Sequence, residues 1–187
     1  MPRPRHPILT RERIIRAATT ILDQEGLDAL STRRLAAEMH VRAPSLYNHF
    51  RTKDEILDAV ADAIIDQVEV AMLRDEPWPT ALREFARAYR AALVARPNIV
   101  PFLARGPGLR PAALRLANEV YLALVDAGWP ISQAIRISTL LRNLVAGSAL
   151  GSSALGCPAD AAGHEHDSHH VDDGAFELGL ELLVKGL

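Results

Sequence analysis

Apolar positions in this chain recur at helical spacing almost from end to end. Ile14, Ala17, Ala18, Ile21 and Leu22 form one stripe, with Thr10 placed to cap its start and Gly26 to stop it. A short second helix is predicted after Ser31 or Thr32, with Leu35, Ala36 and Met39 facing inward. A third, very short one begins at Pro44, a residue suited to a first helical turn, and runs to about Phe50. Thr52 and Glu55 then make a capping box for a fourth helix. Its stripe of Ile56, Leu57, Val60, Ile64 and Val68 continues to about Leu73. The segment Asp75-Glu76-Pro77-Trp78-Pro79 breaks the pattern. It resumes with Leu82, Phe85, Ala86, Tyr89 and Leu93. Pro97 and Pro101 bracket a short piece, and Gly106-Pro107-Gly108 is a loop. Helices are expected at about 111–127 and 131–155, and a last one from about Asp172 to Lys185. No run alternates as a half-buried strand does.

The pattern predicts an all-α chain of about nine helices in two domains. Residues 1–53 make a basic N-terminal arm and a helical head, 54–73 a linker helix, and 74–187 a larger body with a mobile loop at 156–174.

Charge sharpens this division. The net charge is −2, which suggests no nucleic-acid partner. Residues 1–53, however, carry 10 Arg/Lys against 5 Asp/Glu, whereas residues 54–187 carry 11 against 18. A basic head on an acidic body fits a head that faces nucleic acid; a chance cluster of solvated arginines is the alternative. The longest uncharged run, Asn143 to Ala159, is 17 residues and rich in Gly and Ser, too short and too polar to span a membrane. The single cysteine, Cys157, excludes an internal disulfide framework. These features favour a cytoplasmic protein with no membrane partner.

Ser31 to Phe50 carry the strongest signal. A short helix, a tight turn and a second short helix among basic residues form a helix-turn-helix pattern. Leu35, Ala36, Val41, Leu46 and Phe50 are spaced to pack the two helices, and His40 falls in the turn where a left-handed conformation is expected.

Leu30-Ser31-Thr32-Arg33-Arg34-Leu35-Ala36, followed by Val41 through Phe50 and then Arg51-Thr52-Lys53-Asp54-Glu55-Ile56-Leu57, resembles the head of the TetR family of transcriptional repressors. Trp78, the helix through Tyr89 and Leu93, and the ending from Phe176 to Leu187 are similar to the C-terminal domain of its tetracycline-repressor branch. The resemblance implies a homodimer on a palindromic double-stranded DNA operator, responsive to a small-molecule effector. It implies DNA contacts from Thr32, Arg33 and Arg34, from Arg42, Ala43, Pro44, Ser45 and Asn48 on the recognition helix, and from Tyr47, His49 and Lys53. The chemistry agrees: Arg33 reaches bases or phosphates, Asn48 pairs with base edges, and Ala43 and Pro44 suit a thymine methyl. For Tyr47 a partly core position is the alternative, and for Arg42 a solvated one.

In this family the last two long helices pair across a two-fold axis. Ile135, Leu144, Gly147, Gly151, Phe176, Leu180 and Leu183 are therefore the candidate dimer interface, burial within one subunit being the alternative. Phe85, Tyr89, Leu93, Phe102, Leu116, Val120, Leu140 and Asn143 are the candidate ligand cavity, with Tyr89 and Asn143 as its polar groups. Plain core is the alternative for each. The histidines that the family's tetracycline–magnesium subset uses are missing, at Glu69 and near Phe102. A mainly apolar or aromatic effector is expected instead, and no cofactor.

His164, His166, His169 and His170, among Asp and Glu, make a candidate metal site, for a metal-responsive regulator or, further off, a metal-dependent hydrolase; a solvated linker is the alternative. No other enzymatic constellation is present: Cys157 has no partner motif, and Ser148, Ser152 and Ser153 sit in no nucleophile elbow.

Overall fold

The computed structural model describes residues 9–103, 110–155 and 168–187; at 153–155 and 168–172 it describes the backbone alone. Every regular element among the described residues is helical. The chain divides into two compact units, residues 1–63 and 64–187.

The first unit begins with α1 (Arg11–Glu25). Thr10 Oγ1 accepts the Arg13 N–H at 3.3 Å, and Gly26 ends the helix at φ 85°. The buried stripe is Ile14, Ala18, Ile21 and Leu22. Ser31 caps α2 (Thr32–Glu38) by accepting the Arg34 N–H at 3.1 Å. His40 takes the left-handed conformation, φ 54°, that a tight turn here requires, and the Val41 N–H then closes onto the Ala36 carbonyl at 3.0 Å. α3 (Ala43–Leu46) follows, shorter than its sequence pattern, with a further turn closed by Phe50 N–H to the Leu46 carbonyl. Leu30, Leu35, Ala36, Leu46 and Phe50 are all buried, and the Arg11 guanidinium lies 4.0 Å over the Phe50 ring.

Thr52 caps α4 (Lys53–Ile65), accepting the Glu55 N–H at 3.1 Å. The Glu55 carboxylate turns back one residue further than a standard capping box, to the Arg51 N–H at 2.7 Å. The expected linker helix over 54–73 is corrected here: α4 stops at Ile65, and α5 (Met72–Asp75) is a separate turn. Val68 is buried beyond the break, and Glu69 folds its carboxylate onto the Val70 and Ala71 N–H groups at 2.9 and 3.0 Å. These bonds give two N–H groups at the break a side-chain acceptor in place of a helix carbonyl.

In the second unit, α6 (Trp78–Val94) begins behind Pro77, with Pro79 in its first turn where a missing N–H costs nothing. A 3₁₀ turn at Pro97–Ile99 and α7 (Val100–Leu103) lead towards α8 (Pro111–Asp126), α9 (Ile131–Leu155) and α10 (Ser168–Lys185). The last helix starts earlier than expected, so residues 168–174 of the anticipated mobile loop have helical backbone. α9 packs against α6, α8 and α10 at once. Its inward positions run Ala134, Ile137, Leu141, Val145 and Ala149. Gly179 lets α10 approach α9 closely: a Cβ there would sit 3.1 Å from Leu144 Cδ1.

Ion pairs line the contact of α6 with α10. Arg83 meets Glu181 at 2.5 Å, Arg87 meets Glu177 at 2.6 Å and Arg90 meets Asp173 at 2.8 Å. Arg87 holds the Glu177 carboxyl below its ordinary value of 4.5, and Arg83 does the same for Glu181. A depressed folded-state pKa means that the pairing stabilises the fold above the ordinary value and is lost as pH falls through the folded one. Melting temperature should therefore fall less steeply in Glu177→Gln than in the wild type between about pH 5 and pH 3, measured by circular dichroism.

Candidate nucleic-acid interface and effector cavity

α3 is held from below by Leu46 and Phe50, which leaves its opposite face open. Arg42, Pro44, Tyr47 and Asn48 are exposed there, while Ala43, Ser45 and His49 are half-buried. Tyr47 is 53 % exposed, which answers the question of whether it is core. On α2, Arg33 is exposed and Thr32 half-buried. Among the described residues, the guanidinium groups of Arg33 and Arg42 make no hydrogen bond or ion pair. Beside this face, a groove of about 690 Å³ is lined by Arg13, Arg16 and Arg42, with His40, Ser45 and, among the described residues, a single carboxylate, Glu38. Its charge favours a polyanion.

Three of the expected contact residues are engaged within the unit. Arg34 binds Glu25 at 2.5 Å and Glu38 at 2.8 Å, which fastens α2 to the end of α1. These carboxylates raise the Arg34 pKa. Lys53 donates from Nζ to the Leu27 carbonyl at 3.1 Å. His49 contributes its carbonyl to Arg11 at 2.5 Å. For these three, sequence spacing identified basic groups near the face but not their local partners.

In the second unit, Phe85, Tyr89, Leu116 and Val120 come together around a small cavity of about 20 Å³, with Ala113, Ala117, Ser138 and Arg142 completing the wall. Leu93 and Phe102 are buried elsewhere in the core. Leu140 and Asn143 do not belong to the cavity. Leu140 is 53 % exposed, and Asn143 is exposed as well. The inward row of α9 passes through Leu141, so the residues flanking it towards α8 are Ser138 and Arg142, one turn apart. Sequence reasoning missed both by taking the wrong neighbour of the row. The Tyr89 phenol is pushed up by burial and drawn down by Arg142 and Arg110.

The interface candidates also divide. Phe176 and Leu180 belong to the subunit's own core, which corrects their expected place on a dimer surface. Leu144, Leu183 and Gly151 are half-buried, and Ile135 and Gly147 are exposed. The outward residues of α10 are Leu178 and Leu182, 62 % and 65 % exposed, and neither was anticipated. On α9, Ile131, Ile135, Leu140 and Leu150 are exposed as well. The signal for Leu178 and Leu182 was present: α10 is apolar two residues either side of Leu180, which puts leucines on opposite faces.

His164 and His166 lie outside the described residues, as do the side chains of His169 and His170. Among the described residues, no three His, Cys, Asp or Glu groups are placed to hold a metal ion.

A helix-turn-helix unit followed by a helical body with an internal cavity defines a class of DNA-binding regulators. Residues 14–60 match the family of bacterial regulatory proteins of the tetR type, and residues 73–171 match the tetracyclin repressor-like C-terminal domain. The chain belongs to the tetR family. The tetracycline repressor protein class C of Escherichia coli is 30 % identical over 201 residues, covering 96 % of this chain and 90 % of that protein. An HTH-type transcriptional regulator of Saccharopolyspora erythraea is 32 % identical, over 76 % of this chain but only 60 % of its own length. The solved structure of the Streptomyces coelicolor TetR family protein ActR with actinorhodin superimposes with a TM-score of 0.81 at 30 % identity, covering 96 % of this chain and 97 % of that one. BioQ with its double-stranded DNA operator gives 0.78 at 26 % identity, covering 96 % and 98 %.

Proposed function

We propose that this transcriptional regulator is a homodimeric repressor that binds a palindromic operator and is released by a small, mainly apolar or aromatic effector. The observation that carries the reading is the open face of α3. Tyr47 and Asn48 are exposed beside the uncommitted guanidinium groups of Arg33 and Arg42. Asn48 has the donor–acceptor pair that reads an adenine edge, Pro44 an apolar surface for a thymine methyl, and Arg33 and Arg42 the charge for phosphate or guanine. Thr32, Ala43, Ser45 and Tyr47 complete the contact surface. Arg34, His49 and Lys53 act on it indirectly, by holding the helices in place.

A recognition helix this short reads few base pairs, so affinity requires two heads on one site. The apolar stripe on α9 and α10 supplies the second copy. The likeness to a tetracycline repressor and to a regulator bound to actinorhodin supports effector release, and the likeness to a regulator on its operator supports the DNA contact. An effector acts to the extent that it binds the released form more tightly than the operator-bound form.

Fluorescence anisotropy against palindromic and scrambled duplexes tests this. Two protomers per palindrome are expected. Asn48→Ala should cost about 1–3 kcal/mol on the palindrome and little on the scrambled duplex. Arg33→Ala should weaken both and lower the salt slope by about 1. Equal, steeply salt-dependent binding of the wild type to both duplexes would refute a specific operator.

A further inference from the structure

Among the described residues, the cavity wall holds one charged group. Arg142 reaches it from α9, and the other lining residues are Phe85, Tyr89, Ala113, Leu116, Ala117, Val120 and Ser138. Among the described residues, no carboxylate faces the cavity. Arg142 is half-buried, and among the described residues nothing accepts a hydrogen bond from it or pairs with its charge. Four other arginines of this unit face carboxylates. Arg83, Arg87 and Arg90 each face a carboxylate on α10, and Arg74 faces Glu119. A guanidinium partly withdrawn from water without a counter-charge is costly, and an anionic partner offsets that cost.

The two hydroxyls differ in role. Ser138 Oγ already donates to the Ile135 carbonyl at 3.0 Å, so its remaining capacity is as an acceptor. The Tyr89 hydroxyl makes no hydrogen bond among the described residues. Burial disfavours its ionisation, so it keeps its proton and donates at neutral pH. The cavity thus presents two unused donors, one of them cationic, above an apolar floor. Ala113 and Ala117, one turn apart on α8, leave the rest of the wall low.

Resting on the reading of this cavity as the effector site, we infer that the effector is an amphipathic aromatic acid. Its anionic oxygens lie on the Arg142 guanidinium and the Tyr89 hydroxyl, and its rings lie against Phe85, Leu116 and Val120. Guanidinium matches the two oxygens of an acid group in a planar fork. The present volume of about 20 Å³ holds little more than a water, so binding separates the wall of α8 from α6 and α9.

The test uses the purified full chain and two fluorescent probes of one scaffold. 1-Anilinonaphthalene-8-sulfonate carries the acid; N-phenyl-1-naphthylamine lacks it. Wild type should bind the acid at least about tenfold more tightly than the neutral amine, the worth of a charge-assisted hydrogen bond. Arg142→Met should bring the two to parity with unchanged far-ultraviolet circular dichroism. Tyr89→Phe should reduce the preference in part. Arg136→Met, which removes an exposed charge from the same helix, should leave it intact. Release of a bound operator duplex by each probe is followed in parallel. Equal affinity in wild type, or a preference that survives Arg142→Met, overturns the acid inference and leaves the effector cavity standing. Binding of neither probe, with no operator release, overturns both.

Discussion

Leu182→Arg should leave each subunit folded and abolish tight operator binding. Leu182 is 65 % exposed and Leu178 62 %, so neither contributes much to the core beneath α10. That core is made by Phe176, Leu180 and Val184. In a two-fold interface the same patch meets itself, and one substitution therefore places two like charges in an apolar contact. The expected mass by light scattering is that of one 20.4 kDa chain. Operator affinity should fall on the order of a thousandfold, towards the level of non-specific binding, because one short recognition helix is left to act alone. Melting temperature should stay close to that of the wild-type subunit. A dimeric mass for Leu182→Arg would place the interface elsewhere.

The second large effect belongs to the first unit. Phe50 is 2 % exposed at the junction of α1, α2 and α3, under the Arg11 guanidinium. Truncating a buried phenylalanine costs about 3–5 kcal/mol, and a unit of this size has little more than that in reserve. Phe50→Ala should therefore unfold the head at low urea and eliminate DNA binding. The two tryptophans, Trp78 and Trp129, stack edge to face at 5.4 Å in the second unit. Their fluorescence reports on the body alone, whereas far-ultraviolet circular dichroism reports on both units. Phe50→Ala should lose ellipticity well before its tryptophan emission moves. Coincident loss of both signals at the wild-type urea concentration would count against this account.

The head was readable because its signals are local. Thr10, Ser31, Gly26 and His40 each act within a turn of themselves, and each takes the predicted role. The family followed from the run through Leu46, Tyr47 and Phe50. The break after Ile65 was not readable, because the stripe of Ile64 and Val68 continues across it. Beyond the break the Glu69 carboxylate accepts the Val70 and Ala71 N–H groups, and its direction is not a property of spacing. α9 posed a different difficulty. It packs against α6, α7, α8 and α10 and is apolar or small around most of its circumference, which leaves its phase uncertain by one residue. That one residue separates Asn143 from Arg142 and Leu140 from Leu141. The same holds for α10, where Leu178 and Leu180 read alike in sequence and point opposite ways.

Gly179 bears on how such a surface can be altered. The distance between the last two helices is set there by a missing side chain, with Leu144 filling the space. Alanine at this position would press on the end of the Leu144 side chain, which must give by a few tenths of an ångström. In the dimer proposed above, partner preference between closely similar chains can thus diverge through a glycine beneath the outer leucines.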